Sequence, residues 1–146
     1  MPEKRTIQRA RRDKRQGKAP STQAGEFVRE EMEHIREGKH GARSSKQAIA
    51  IGLSKARRAG VRLPAPGRGK TSSATRRKAK QDLSRGGKSR RSSARRSRSV
   101  RSALKREPRS AASRRAMASQ ARGASRRRSA ASRSRAARKA ARTRRR

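Results

Sequence analysis

The sequence predicts a chain that is mostly disordered on its own and contains one small all-α helical hairpin, over residues of about 22–37 and 45–59. Two compositional observations support the disorder. The 146 residues include 48 Lys or Arg but only 9 Asp or Glu, giving a formal net charge of +39. Hydrophobic residues make up 27% of the chain, with one Phe and no Trp or Tyr. Because so little apolar surface cannot offset the entropy lost on folding, we expect helices only where apolar residues recur at helical spacing.

Residues 1–20 form the first segment of the chain. They carry eight basic and two acidic residues and end in a stretch that contains Gly17 and Pro20. No apolar stripe runs through them. We therefore expect a disordered basic arm, in which the stretch 6–15 becomes helical only on contact with phosphates.

Residues 21–63 form the second segment, which begins with a helix. Val28, Met32 and Ile35 recur at the i, i+4, i+7 spacing of an amphipathic helix. Five of the nine acids of the chain lie in the same stretch. Gly38 follows at the position where glycine commonly ends a helix. The pattern predicts an acidic first helix.

The second helix of the hairpin has a clear start and a clear stop. Ser44 and Gln47 have the spacing of a capping box, in which two side chains satisfy the free N–H groups of a helix start. Ile49 and Leu53 continue the apolar stripe, and Gly60, followed by an apolar residue, is a typical C-terminal stop. The hairpin core is small and has no Cys, so we expect marginal stability, with a second copy of the chain or DNA as support.

Residues 64–146 form a long third segment of low complexity. They contain 31 basic and two acidic residues, and most of the others are Ser, Ala and Gly. We expect a disordered Arg/Ser/Ala-rich tail. The stretch Ala136–Ala141 has helix propensity, but mutual repulsion between Arg side chains should suppress the helix until phosphates neutralise the charge. Serine is interpreted as a small polar spacer in this tail rather than as a phosphorylation site.

This charge pattern predicts non-enzymatic, sequence-independent binding and compaction of DNA through phosphate contacts. Extended, the tail would reach about 270–300 Å, far enough to bridge separate duplexes. Non-specific RNA binding, or a ribosome-associated accessory role, is the alternative, although base-stacking aromatic residues are almost absent. The predicted phosphate-binding residues are Lys39, Arg43, Lys46, Lys55, Arg57, Arg58, Arg62, Arg76, Arg77, Lys78, Arg90, Arg91, Arg95, Arg96, Arg126, Arg127, Arg128, Arg144, Arg145 and Arg146.

Other functions find little support in the sequence. Gln47 is the one amide near the start of the second helix, and capping explains it better than base readout. His34 and His40 are six residues apart across a predicted helix end, without a Cys or a well-placed carboxylate, so we expect no metal site. We likewise expect no catalysis, cofactor, small-molecule substrate or stable membrane association, and an intracellular location.

The middle of the chain resembles a known family. The run Ser45-Lys46-Gln47-Ala48-Ile49-Ala50-Ile51-Gly52-Leu53-Ser54-Lys55-Ala56 is similar to a motif of short, basic bacterial proteins of unknown function, which are often labelled DNA-binding or plasmid-stabilisation proteins. The family usually has an acid where this chain has Lys55. The long tail is similar to those of bacterial histone-like proteins. The resemblance implies a bacterial setting and a role at the chromosome or a plasmid, and it supplies no catalytic residue.

Overall fold

A computed structural model describes residues 1–87 and 93–145 of the chain. In this part of the chain, 71% of the residues are helical and none forms a strand. The prediction of a mostly disordered chain is therefore wrong. The seven α-helices are α1 (Lys4–Arg15), α2 (Pro20–Arg36), α3 (Ser45–Arg58), α4 (Ser73–Ser84), α5 (Ala94–Lys105), α6 (Arg114–Arg126) and α7 (Ala130–Arg144), and a 3₁₀ turn covers Arg109–Ala112.

Serine caps explain why the tail forms separate helices. Ser72, Ser93, Ser113 and Ser129 precede α4, α5, α6 and α7, and each side chain accepts a hydrogen bond from the backbone N–H three residues later. Serine is a strong N-cap residue, and the Ala, Arg and Lys residues that follow are good helix formers. The interpretation of serine as a mere spacer missed this local signal.

The two helices of the predicted hairpin are present as α2 and α3. Ser44 accepts a hydrogen bond from the N–H of Gln47 at 3.2 Å, and the Gln47 side chain accepts one from the N–H of Arg43 at 2.7 Å. At the other end of α3, Gly60 has a φ of +95°, and the N–H of Val61 donates to Ala56 O at 3.0 Å. This is the hydrogen-bond pattern of a Schellman C-cap.

α2 and α3 cross closely because a glycine lies at the crossing. A Cβ atom on Gly52 would come within 2.7 Å of the Cα atom of Val28. On one side of the crossing, Met32, Ile35 and Ala48 form a buried cluster. The missing side chain thus lets two backbones approach and fixes where the helices meet.

α1 covers the other side of α2. The residues predicted to be a disordered arm bury Ala10 against Ala24 and Phe27 of α2, in a cluster that also includes Ala56 of α3 and Val61, which follows α3. Phe27 is 1% exposed. The core of the hairpin therefore extends to a third helix that lacks an obvious apolar stripe.

Part of the tail docks on the loop between α2 and α3. The N–H of Gly41 donates to Leu104 O at 2.8 Å, and that of Ala42 donates to Pro108 O at 3.0 Å. A Cβ atom on Gly41 would overlap the backbone of Glu107. Ala111 and Ala112 of the 3₁₀ turn are buried in the cluster around Ile35, Met32 and Ala48. Residues of the same chain thus cover part of the apolar surface of the hairpin.

The remaining tail helices are bound less deeply. α4 packs against α3, where Ser54 Oγ donates to the buried carboxylate of Asp82 at 2.6 Å. α5, α6 and α7 contain no buried residue, although Met117 of α6 touches the cluster around Ile35. None of the helices in residues 1–87 and 93–145 is long and apolar enough to span a bilayer.

Candidate nucleic-acid interface and a buried histidine–carboxylate cluster

The acids of the chain are already paired with its own cations. All nine acids lie among the described residues, and each has a Lys, Arg or His nitrogen within 4.0 Å. Seven Lys or Arg residues take part in these pairs: Arg9, Lys18, Arg29, Lys39, Arg43, Lys55 and Lys78. Since the chain has 48 Lys and Arg residues, most of its positive charge has no internal counter-charge.

The excess cations are concentrated at the C-terminal end. Residues 108–146 contain 15 Lys or Arg and no Asp or Glu. α7 alone carries six cations in 15 residues, all of them exposed: Arg133, Arg135, Arg138, Lys139, Arg142 and Arg144. The like charges of such a segment repel one another, and no acid in the segment offsets that repulsion.

Most of the predicted phosphate-binding residues that the structure describes lie at the surface. The exposed ones are Lys39, Arg43, Lys46, Arg58, Arg62, Arg77, Lys78, Arg95, Arg96, Arg126, Arg127, Arg128, Arg144 and Arg145, and Arg76 is half-buried. Three of the exposed ones, Lys39, Arg43 and Lys78, already contact acids. Arg90, Arg91 and Arg146 lie outside the described residues.

Two of the predicted residues point into the protein instead. Lys55 has a side chain that is 17% exposed, and its Nζ atom lies 2.6 Å from Glu31 Oε2 and 3.6 Å from Glu30 Oε1. Arg57 is buried and donates to Leu63 O and Pro64 O, both at 3.1 Å. Burial lowers the pKa of the Arg57 guanidinium below its usual value. These two cations hold the fold together and are not available to phosphates.

The second feature of interest is a cluster at the C-terminal end of α2. Glu31, His34 and His40 each offer one ligand atom, and these atoms lie within 4.8 Å of one another. The Glu31 side chain is 1% exposed, and each histidine side chain is 14% exposed. The expectation that the histidines lack a well-placed carboxylate is therefore wrong.

A second carboxylate, from the residue before α1, adjoins this cluster. Glu3 Oε1 lies 2.8 Å from His34 Nε2 and 3.5 Å from Lys39 Nζ. The hydrogen bond with His34, assisted by the charge of Lys39, holds the pKa of the Glu3 carboxyl below its usual value. The N–H of Glu3 also donates to Glu30 Oε2 at 3.0 Å, which ties α1 to α2 at this point.

The turn after α2 explains how the two histidines meet. Gly38 has a φ of +76°, and the N–H of Lys39 donates to His34 O at 2.9 Å. This C-cap reverses the chain, so His40 returns beside the last turn of α2, with the two imidazole centroids 6.2 Å apart. The sequence signal was Gly38 itself, which was interpreted only as a helix stop.

Two surface depressions each lie on a single helix. One, of about 760 Å³, is lined by Arg135, Arg138, Lys139, Arg142 and Thr143, all on α7. Another, of about 650 Å³, is lined by residues of α1 alone. Each is a gap between extended basic side chains of one helix. Such a surface suits a polyanion better than a small organic substrate.

Residues 3–66 match the model of a family of unknown function, DUF6496. The matched region covers α1, α2 and α3, together with Glu3, Glu31, His34 and His40, and leaves out the tail helices. No curated protein matches the chain. No solved structure matches it either.

Proposed function

We propose that this protein binds and compacts DNA without sequence preference and without catalysis, through phosphate contacts made mainly by its C-terminal helices. The observation that carries this proposal is the division of charge. The acids are all paired within residues 1–107, whereas the 15 cations of residues 108–146 have no acid in their own segment. DNA carries one negative charge per about 1.7 Å of its axis and would neutralise them.

The position of α7 supports the same proposal. The helix buries no residue, so tertiary packing adds little to its stability. Its 15 residues span about 22 Å, and the major groove of B-DNA, about 12 Å wide, admits an α-helix. Phosphates would remove the repulsion between its Arg side chains and so stabilise the helix as it binds.

The placement of the cations around α7 favours compaction over simple coating. At about 100° per residue, Arg135, Arg138, Lys139 and Arg142 fall on one face of the helix. The remaining two cations, Arg133 and Arg144, fall on the opposite face. A helix with cations on two opposite faces can contact two duplexes at once.

The composition of α7 supports the absence of sequence preference. The helix consists of Ala, Ser, Arg, Lys and Thr, without the Asn and Gln amides that read adenine in the major groove. Its Arg and Lys side chains can reach phosphates along the backbone, and phosphate contacts carry no sequence information. We therefore expect unrelated duplexes to bind with similar affinity.

The test is binding of the full chain to labelled duplexes of unrelated sequence, between 50 and 200 mM salt. We expect similar affinities for all duplexes, a loss of affinity of about 10³–10⁵ across this range, and condensation of long DNA seen by light scattering. A flat salt profile would refute the phosphate mechanism. If structured RNA outcompetes duplex DNA by tenfold or more at physiological salt, DNA is not the main target.

A further inference from the structure

Glu31 has an oxygen atom that the protein does not fully satisfy. Both carboxylate oxygens are buried, and neither accepts a hydrogen bond of good geometry from a described residue. Lys55 Nζ lies 2.6 Å from Oε2 and pairs with that oxygen. Oε1 faces His40 Nε2 at 3.3 Å. A buried carboxylate oxygen without a donor is costly unless a cation reaches it.

The hydrogen bond between His40 and Gly41 indicates which ring nitrogen of His40 carries a proton. His40 Nδ1 lies 3.0 Å from Gly41 O, and since a carbonyl oxygen only accepts, Nδ1 carries the proton. In a neutral ring, Nε2 then has a lone pair that faces Glu31 Oε1, another acceptor. Two acceptors at this distance require either an additional proton or a metal ion that both can bind.

His34 has the second part of a typical metal-binding arrangement. Its Nε2 atom lies 2.8 Å from the Glu3 carboxylate, which fixes the proton on Nε2 and leaves the lone pair of a neutral ring on Nδ1. Metal-binding histidines commonly donate their other ring N–H to a carboxylate or a backbone carbonyl. His34 and His40 each have one such partner, Glu3 and Gly41 O respectively.

We infer that Glu31, His34 and His40 bind one divalent transition-metal ion, with zinc as the best fit. Two imidazoles and one carboxylate are a ligand set that zinc accepts, with a fourth position left for water. Neighbouring ligand atoms of tetrahedral zinc are about 3.3 Å apart at bond lengths near 2.0 Å. The three ligand atoms lie within 4.8 Å of one another, so a shift of about 1.5 Å or less closes the site.

The place of the site in the fold indicates a structural role for the ion. Glu31 and His34 belong to α2, whereas His40 lies in the loop that receives the tail. Gly41, next to His40, donates to Leu104 O. A metal ion would fix this loop against α2 and so hold the surface on which residues 104–112 dock. This inference does not depend on DNA binding.

The test is a titration of the untagged, nucleic-acid-free full chain with Zn²⁺, followed by calorimetry and by thermal unfolding. We expect one ion per chain and a higher Tm with zinc. The double variant His34→Gln/His40→Gln should lose at least about tenfold in zinc affinity. Glu33→Gln is the matched control, because Glu33 lies on the same helix, is 51% exposed and stands outside the cluster. We expect it to bind zinc like the wild type.

A second measurement does not depend on whether the variants fold. The chain has two histidines, so the imidazole nitrogen resonances of the wild type report on the site directly. We expect both rings to shift with one equivalent of Zn²⁺. The inference is overturned if neither ring or one ring alone responds, if the double variant binds zinc as tightly as the wild type, or if no zinc binds.

Discussion

Removing four charges from one face of α7 should weaken the salt dependence of DNA binding by a calculable amount. The variant replaces Arg135, Arg138, Lys139 and Arg142 by Gln, which keeps helix propensity and removes the cations. These residues are exposed and contact no acid, so the rest of the fold should not change. If all four contact phosphates together, the slope of log K against log salt falls by about 3.6. Between 50 and 200 mM salt, the factor by which the variant loses affinity should then be about 150 times smaller than the factor for the wild type.

The matched control removes four cations that already have acidic partners. Arg9, Arg29, Lys39 and Arg43 lie within 4.0 Å of acids in ion pairs that are at least partly exposed, and their replacement by Gln changes the net charge by the same amount. We expect a much smaller change in slope, because these cations are less available to phosphates. Fluorescence anisotropy with a short labelled duplex measures both slopes. Equal slopes for the two variants would show that net charge, and not the unpaired face of α7, controls binding.

Three further predictions concern stability and can be read from thermal or urea unfolding. Gly52→Ala should destabilise the fold by about 1–3 kcal/mol, because the new Cβ meets the backbone of α2. Gly25→Ala has open space around it and should stabilise α2 by about 0.5–1 kcal/mol. If Gly25→Ala were the more destabilising of the two, the observed helix crossing would be contradicted. Lys55→Met should cost about 3–5 kcal/mol because it removes the lysine that pairs with two buried carboxylates. The exposed Lys46→Met should change stability by less than about 0.5 kcal/mol. Ser44→Ala should lower the free energy of unfolding by about 1 kcal/mol through loss of the helix cap. An unchanged unfolding midpoint would show that the start of α3 does not limit stability.

The sequence was sufficient to predict α2 and α3 because both helices carry periodic apolar residues and standard end signals. Ser44 caps α3 and Gly60 ends it, as the pattern predicts. The helices of the tail were missed because composition was given more weight than local signals. Mutual repulsion was expected to prevent them, yet each begins at a capping serine and continues through residues of high helix propensity.

The docking of the tail and the histidine cluster depend on information that side-chain patterns do not contain. Leu104 and Pro108 bind the loop through their carbonyl groups, and backbone groups leave no trace in a hydropathy pattern. Ala111 and Ala112 are small enough to be buried without forming a stripe. The contact between Glu31 and His40 requires the reversal at Gly38, which a sequence marks only as a break.

The docking of the 3₁₀ turn has a consequence for the synthesis of the protein. Ser45 donates to Ala111 O, a partner 66 residues further along the chain. At about 5–20 residues per second, a ribosome adds those residues in roughly 3–13 s. Between the emergence of α3 from the ribosome and that of the 3₁₀ turn, the apolar surface around Ile35 lacks this cover. A nascent chain paused in that interval would expose the surface to chaperones and to neighbouring nascent chains.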